Sequence, residues 1–220
     1  MKSAIGIDLG GTKINGGIVD EDGNVLEKLT VDTLAREGKD EVLNRIKSMV
    51  GEFIKKDDIK GIGIGSPGFI NSDIGKVVFL GNNIPDWTGV NIKEEIEDEF
   101  EGIPVFVEND GNMAMLCEGW IGAAKGYDSF VMITLGTGVG GGIYTREQGI
   151  WRGSKWQGAE LGHVILHPDG IKCGCGQFGC VEQYISGKAI EKLYEEKSGT
   201  FLKGADIFNR SLNDDSAKEV

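Results

Sequence analysis

Three of the four cysteines in this 220-residue chain fall within eight positions, as Cys173, Cys175 and Cys180. They lie in the run Cys173-Gly174-Cys175-Gly176-Gln177-Phe178-Gly179-Cys180-Val181-Glu182. His163 stands ten residues upstream, closing Gly158-Ala159-Glu160-Leu161-Gly162-His163. A Cys₃His set suits a closed tetrahedral zinc site, and four protein ligands leave no open position for chemistry, so such a metal is structural. Small core cysteines or a disulfide are the alternatives. Cys173 and Cys175 are too close in sequence to bridge each other comfortably, and Gly174, Gly176 and Gly179 argue for a tight knuckle. Two carboxylates, Glu160 and Glu182, flank the four ligands at short range.

The length allows one large domain or two small ones. A formal charge of −12 argues against a nucleic-acid surface, which normally carries a basic face. A phosphate-bearing ligand would have to be held by local backbone dipoles and a cation, because the overall field repels it. Met1-Lys2-Ser3 leads into Ala4-Ile5-Gly6-Ile7 without the long apolar region of a signal peptide, and no apolar run approaches transmembrane length. Cysteines grouped as metal ligands, with Cys117 alone, fit a reducing compartment. The expected location is the cytoplasm, with no membrane partner. The 36 glycines concentrate where strands meet loops, which marks close backbone approaches to ligands rather than a flexible linker.

Along the chain, Ile5–Leu9 reads as a buried strand carrying Asp8 near its end. Gly10-Gly11-Thr12-Lys13 turns into a second strand, Ile14–Asp20, and Asp22-Gly23 signals a hairpin into a third, Asn24–Val31. Val42, Leu43, Ile46, Met49, Val50, Phe53 and Ile54 recur at helical spacing. Strands follow at Ile59–Ser66, Lys76–Leu80 and Pro104–Val107. The last stops at Glu108-Asn109-Asp110, where a helix begins. Phe130–Leu135, the glycine run Gly136–Gly142 and Ile143–Arg146 repeat the opening strand, glycine turn, strand grammar. That recurrence predicts two related lobes, 1–118 and 119–220, whose glycine turns meet across one cleft. A helix near Gly187–Lys197, a helical patch at Ala205–Arg210 and a polar end at Asn213–Val220 leave the second lobe short of strands. The chain is then either a fragment or a short protein with a sheet edge to cover.

Asp8-Leu9-Gly10-Gly11-Thr12-Lys13 lacks the P-loop ending and leads into a strand rather than a helix. Its N–H groups can still form an anion-binding nest, and Gly136-Thr137-Gly138-Val139-Gly140 supplies a second one. Asp8 suits either Mg²⁺ held through water or a buried acid tied to backbone N–H groups. Asn109 and Asp110 are each explained by a helix N-cap alone. Counted together, Asn83, Asn109, Asp110, Glu160, His163 and Glu182 form a set of acceptors and amides suited to a polyhydroxylated ligand. Trp87 suits either stacking on a sugar face or packing.

On these motifs, in this order, the chain resembles the ROK family, which comprises sugar kinases and related repressors of the actin-like ATPase superfamily. The resemblance spans residues 4–187, and the Cys cluster with its preceding Glu-x-Gly-His is the most diagnostic part. Gly111 and Met113 depart from the alanines commoner in the family. The resemblance implies the two-lobed α/β fold of the actin-like ATPase (ribonuclease H-like) type, its second lobe truncated before the adenine-binding segment. It implies ATP-dependent phosphorylation of a hexose at its 6-hydroxyl, with ATP, Mg²⁺ and structural Zn²⁺, in a homodimer.

By the same resemblance Asp110 is the catalytic base, while Gly68, Asn83, Asn109, Asp110, Glu160, His163 and Glu182 bind the sugar. Asp8, Gly10, Gly11, Thr12, Lys13, Gly136, Thr137, Gly138, Val139 and Gly140 hold the nucleotide and its metal, and His163, Cys173, Cys175 and Cys180 bind zinc. Glucose is the favoured substrate through the loop Gly81–Trp87. Kinases for N-acetylglucosamine, N-acetylmannosamine, mannose or fructose share these motifs. A sugar-responsive repressor is disfavoured by the acidic charge and by the few residues before the first strand. A non-catalytic sugar sensor is disfavoured by Asp110.

Overall fold

Ile5, Ile7 and Leu9 alternate along the opening segment and are all buried, the period-two signature of a strand packed on one face. In the computed structural model, which describes residues 2–81 and 83–219, this strand is β1 (Ser3–Leu9). It pairs antiparallel with β2 (Lys13–Asp20), which pairs in turn with β3 (Val25–Asp32). Asp20 is buried in the β2–β3 turn because its carboxylate accepts from the N–H groups of Asp22 and Asn24 and from the Asn24 amide. Helix α1 (Lys39–Ile54) buries Val42, Leu43, Ile46, Met49, Val50 and Phe53, the stripe its spacing predicts. Gly16 lets this helix lie on β2, since a Cβ there would stand 2.3 Å from Met49 Sδ.

The chain then enters β4 (Ile59–Ser66), parallel to β1, and the short antiparallel ribbon β5 (Phe69–Asn71) and β6 (Lys76–Phe79). Three residues of β5 are too few to carry a periodic signal in sequence. Helix α2 (Ile92–Glu97), strand β7 (Val105–Asn109) and helix α3 (Asp110–Trp120) complete this part. The five-stranded sheet runs β3-β2-β1-β4-β7. Asp8 pairs with Gly65, and Gly65 with Glu108, so the parallel strands β1, β4 and β7 finish side by side. Ligands of open α/β sheets gather at the carboxyl ends of parallel strands, and this register brings Asp8 and Asn109-Asp110 to that edge.

Trp87 is fully buried beneath the loop that follows β6, and its indole N–H donates to the Ser66 hydroxyl at 3.2 Å. Its ring packs with the core cluster and has no face left for a sugar. Ile84 is buried beside it in the same cluster, while Asn82 lies outside the described residues.

The chain divides into two units. The first runs through Asp128 and takes in Arg152–Gln157, and the second comprises Ser129–Trp151 and the residues from Gly158 onward. In the second, β8 (Ser129–Leu135), β9 (Val139–Thr145) and β10 (Gly149–Ile150) form an antiparallel sheet in the order β10-β9-β8. The glycine run is therefore not all turn. Gly140, Gly141 and Gly142 are strand residues paired with Thr134, Ile133 and Met132, and the turn proper is Gly136–Gly138. Gly141 is needed in that strand because a Cβ would stand 2.5 Å from the Met132 carbonyl oxygen.

Helices α4 (Glu182–Ile185), α5 (Gly187–Ser198), α6 (Gly204–Arg210) and α7 (Asp215–Lys218) follow the knuckle. The last lies in the stretch expected to be only a polar end. Tyr194, Ile207 and Ala217 form its small core, and the Tyr194 hydroxyl donates to Asp214. Among the described residues no helix is long and apolar enough to cross a membrane.

Trp87→Ala is expected to destabilise the first unit by about 3–5 kcal/mol. Trp87→Phe keeps the ring bulk and loses the hydrogen bond to Ser66, for about 1–2 kcal/mol. Denaturant unfolding monitored by circular dichroism measures both.

Candidate active site

At the end of β7 the backbone switches directly from strand to helix, and one side chain manages the switch. Asn109 holds extended backbone angles and caps α3, its Oδ1 accepting the Asn112 N–H at 3.1 Å. Its Nδ2 donates to the Gly68 carbonyl at 3.1 Å and to Asp110 Oδ1 at 3.0 Å. The N-cap explanation and a functional one are therefore not exclusive here, since the capping group also orients the neighbouring carboxylate. Gly68 has a φ of +93°, and a Cβ there would stand 2.5 Å from the Phe79 carbonyl oxygen, so only glycine can present its carbonyl this way.

Asp110 is solvent-facing at the first turn of α3, and Oδ1 also accepts the Gly111 N–H at 2.8 Å. Partial desolvation pushes its carboxyl above the ordinary aspartate range, and the negative charge of Asp8 adds to the rise. The N–H of Gly111 and the amide of Asn109 pull the other way. Asp8 itself is exposed, and its Oδ2 accepts the Asn15 amide at 3.2 Å. Of the two readings of Asp8, the buried acid tied to backbone N–H groups is thereby excluded. An exposed carboxylate at a strand end, beside a second one on α3, has the donor chemistry of a hydrated magnesium site.

Within the Gly10–Lys13 turn the Gly10 N–H donates to the Lys13 carbonyl, and Lys13 forms an exposed ion pair with Asp32 at 3.3 Å. Fully buried Thr33 latches the turn, donating its hydroxyl to the Gly10 carbonyl and its N–H to the Thr12 carbonyl. Thr33 carries no sequence signal, because an isolated threonine after a strand is unremarkable. Asn83 lies in an exposed turn and donates its N–H to the Gly81 carbonyl.

In the second unit Val139 is the meeting point. Its N–H donates to Glu182 Oε2 at 3.0 Å, and a Cβ on Gly162 would stand 2.3 Å from its carbonyl oxygen. The Glu160–His163 turn and the start of α4 thus both rest on the first residue of β9. Gly138 also faces Glu182 Oε2, at 2.5 Å from where a Cβ would be. An open cavity of about 350 Å³ lies beside this turn, lined by Thr137, Gly138, Glu182, Ser186, Lys188 and Lys192 among others. Val139, Gly136 and Gly10 each have their N–H engaged within the fold.

His163, Cys173, Cys175 and Cys180 bring their ligand atoms within 4.8 Å of one another. Cys175 Sγ and Cys180 Sγ are 3.6 Å apart, as are Cys173 Sγ and His163 Nδ1. A disulfide needs about 2.0 Å, whereas the edges of a zinc tetrahedron with Zn–S near 2.3 Å are about 3.5–3.8 Å. All four cysteines are free thiols, and the cluster fits a structural zinc site. The knuckle is built by the turn closing Cys173 N–H on the Gln177 carbonyl and by Gly176 at φ +97°. The backbone N–H of Gln177 helps lower the Cys175 thiol to about 7, while burial raises Cys180 to about 12. Gln183 and Gln177 direct side-chain amides at Cys173 and Cys175, contacts that stabilise thiolates and that spacing could not reveal.

The ROK family model matches residues 4–220. The chain belongs to the ROK family. A glucokinase of Thermotoga maritima is 44% identical over 87% of this chain and 60% of its own length. A glucokinase of Streptomyces coelicolor is 39% identical over 94% of this chain and 63% of its own. The crystal structure of a ROK family glucokinase from Streptomyces griseus with glucose and AMPPNP superposes with a TM-score of 0.80 at 34% identity, covering 99% of this chain and 73% of that one. The fold is the α/β fold of the actin-like ATPases, and the chain spans about three fifths of the length of its curated relatives.

Gly162→Ala must displace backbone at Val139, and is expected to cost roughly 1–3 kcal/mol. Denaturant melts of the variant beside wild type check this.

Proposed function

We propose that this chain is the greater part of an ATP-dependent hexose kinase that phosphorylates the 6-hydroxyl of glucose, with Asp110 as general base. The observation that carries the reading is the Asp110 carboxylate at the edge where β1, β4 and β7 end. It is held by Asn109 and Gly111 and raised in pKa by desolvation and by Asp8. A base is most efficient when its pKa approaches the working pH, and a carboxyl moved upward from its usual range is moved in that direction.

In this reading Asp110 accepts the proton of the sugar hydroxyl as that oxygen attacks the γ-phosphate. The transition state is loose, so alignment and charge neutralisation supply most of the rate. Asn109 aligns Asp110 and, with Gly68, Asn83, Glu160, His163 and Glu182, binds the sugar hydroxyls. Asp8, supported by Asn15, would hold Mg²⁺, whose bound form neutralises phosphate charge. Since Gly10, Gly136 and Val139 already spend their N–H groups, phosphate contacts fall to Gly11, Thr12, Thr137 and Gly138. Zinc held by His163, Cys173, Cys175 and Cys180 would keep Glu160, His163 and Glu182 in register. A homodimer acting in the cytoplasm completes the reading.

Asp110→Asn is expected to lower kcat on the order of 10²–10⁴-fold while hexose binding persists. A coupled phosphorylation assay over a panel of hexoses, run with the full-length chain, measures it. Activity comparable to wild type in that variant would remove Asp110 as the base. The acid limb of the wild-type kcat profile should fall above the ordinary aspartate value, because turnover is lost as pH drops through the raised Asp110 pKa.

Cys175→Ser is expected to lose zinc and weaken hexose affinity, with metal content read by elemental analysis and affinity by calorimetry. Full zinc occupancy in the variant would refute the ligand set.

A further inference from the structure

One charge pair beside Asp110, its carboxylate buried and its guanidinium half-buried, has no place in the reading above. Glu108, the residue before Asn109, is only 5% exposed. Its Oε1 accepts the Asn109 N–H at 2.9 Å and the Asn112 side-chain amide at 3.1 Å. Its Oε2 accepts from Arg152, from Nε at 2.7 Å and from Nη2 at 2.6 Å. Arg152 arrives from 44 positions away in sequence, in the short segment Arg152–Gln157 that belongs to the first unit although its neighbours on both sides belong to the second.

Stability alone gives no reason for such a pair, since a buried ion pair can often be replaced by apolar side chains without loss. What it fixes is geometry. Asn112 is turned so that Nδ2 faces Glu108, which leaves its Oδ1 buried with no hydrogen-bond partner. That orientation follows from Glu108 Oε1 acting as the acceptor, because the flipped amide would set two oxygens face to face. The contacts then run in series, from Arg152 to Glu108, from Glu108 to the backbone of Asn109 and the side chain of Asn112, and from Asn109 to Asp110 Oδ1.

We propose that the Arg152–Glu108 pair is a clamp that sets the Asn109–Asp110 turn, making Arg152 and Glu108 positioning residues for the Asp110 carboxylate. The proposal rests on the kinase reading for its catalytic consequence and on geometry alone for its local one. Removing the guanidinium leaves a buried carboxylate without its ionic partner, and the turn it grips shifts with it. A displacement of that scale at the reacting group reduces rate far more than ground-state binding.

The test compares R152A, R152K and E108Q with wild type in the full-length protein, reading steady-state kinetics, thermal melts and hydrogen exchange of the peptide spanning 108–113. R152A is expected to lower kcat roughly 10- to 100-fold while hexose KM changes by less than about threefold. R152K, whose ammonium can still meet Oε2, is expected to regain about half of that loss on a logarithmic scale, and 108–113 to exchange faster in R152A than in R152K.

If R152A does not fold, E108Q decides, with an expected kcat loss of about tenfold. A kcat within twofold of wild type in whichever variant decides overturns the clamp. So does a loss in R152A that follows its unfolded fraction and is not relieved in R152K. If wild type phosphorylates no hexose, the kinase reading fails while the clamp is judged by exchange alone. Faster exchange at 108–113 in R152K or E108Q then upholds it, and unchanged exchange overturns it.

Discussion

The strand-to-helix switch at Glu108-Asn109-Asp110 is the constraint on which the first unit depends. A helix that starts where a parallel strand stops leaves its first N–H groups without partners, and the strand end leaves side chains at the edge of the sheet. Asn109 meets the helix's need with one atom of its amide and reaches the Gly68 carbonyl and Asp110 with the other. Gly65, opposite Glu108 on β4, lies under the start of this helix, where a Cβ would make ordinary van der Waals contact with Asp110 Cα at 3.5 Å. At Gly63 a Cβ would stand 3.2 Å from the terminal methyl of Met113, tighter than ordinary contact.

The second unit solves a different problem by a similar means. It has a three-stranded sheet and a long irregular segment between β10 and α4, too little regular structure to hold a functional edge by packing alone. Position is imposed by cross-links of short reach. Gly162 lets the Glu160–His163 turn touch the Val139 carbonyl, Glu182 takes the Val139 N–H, and the Cys/His cluster ties both arms together. The tie is economical, because His163 is at once the end of the turn and a member of the cluster. A displacement of His163 therefore passes to Val139 through the adjoining Gly162.

What could be read from the amino acids follows this division. The α1 stripe, the first three strands and the Asn109 cap rest on local periodicity and capping chemistry, and these were legible. The Cys₃His grouping was legible because four ligand-type residues in a short span have few other uses. The extent of the second glycine turn was misread, since glycine at Gly140–Gly142 signals a bend in sequence but serves a close strand crossing in space. Thr33 and Arg152 were invisible for one reason, that each acts through a partner distant in sequence: Arg152 meets Glu108 across 44 positions and Thr33 meets Gly10 across 23. No periodicity marks such residues.

Electrostatics bring these pieces to one point. Under the proposed kinase reading, a chain of formal charge −12 cannot rely on its overall field to attract an anionic phosphate donor. The Asp8 carboxylate adds negative charge locally and raises the cost of ionising Asp110. For the proposed base that cost is a benefit, because it moves the carboxyl upward, whereas the same charge would repel an anionic donor. The conflict is resolved only if cationic charge arrives with the donor and if backbone N–H groups do the remaining work. Arg152 is then better placed where it is found, neutralising Glu108 behind the turn, than in front of it, where an ion pair with Asp110 would pull that carboxyl's pKa down.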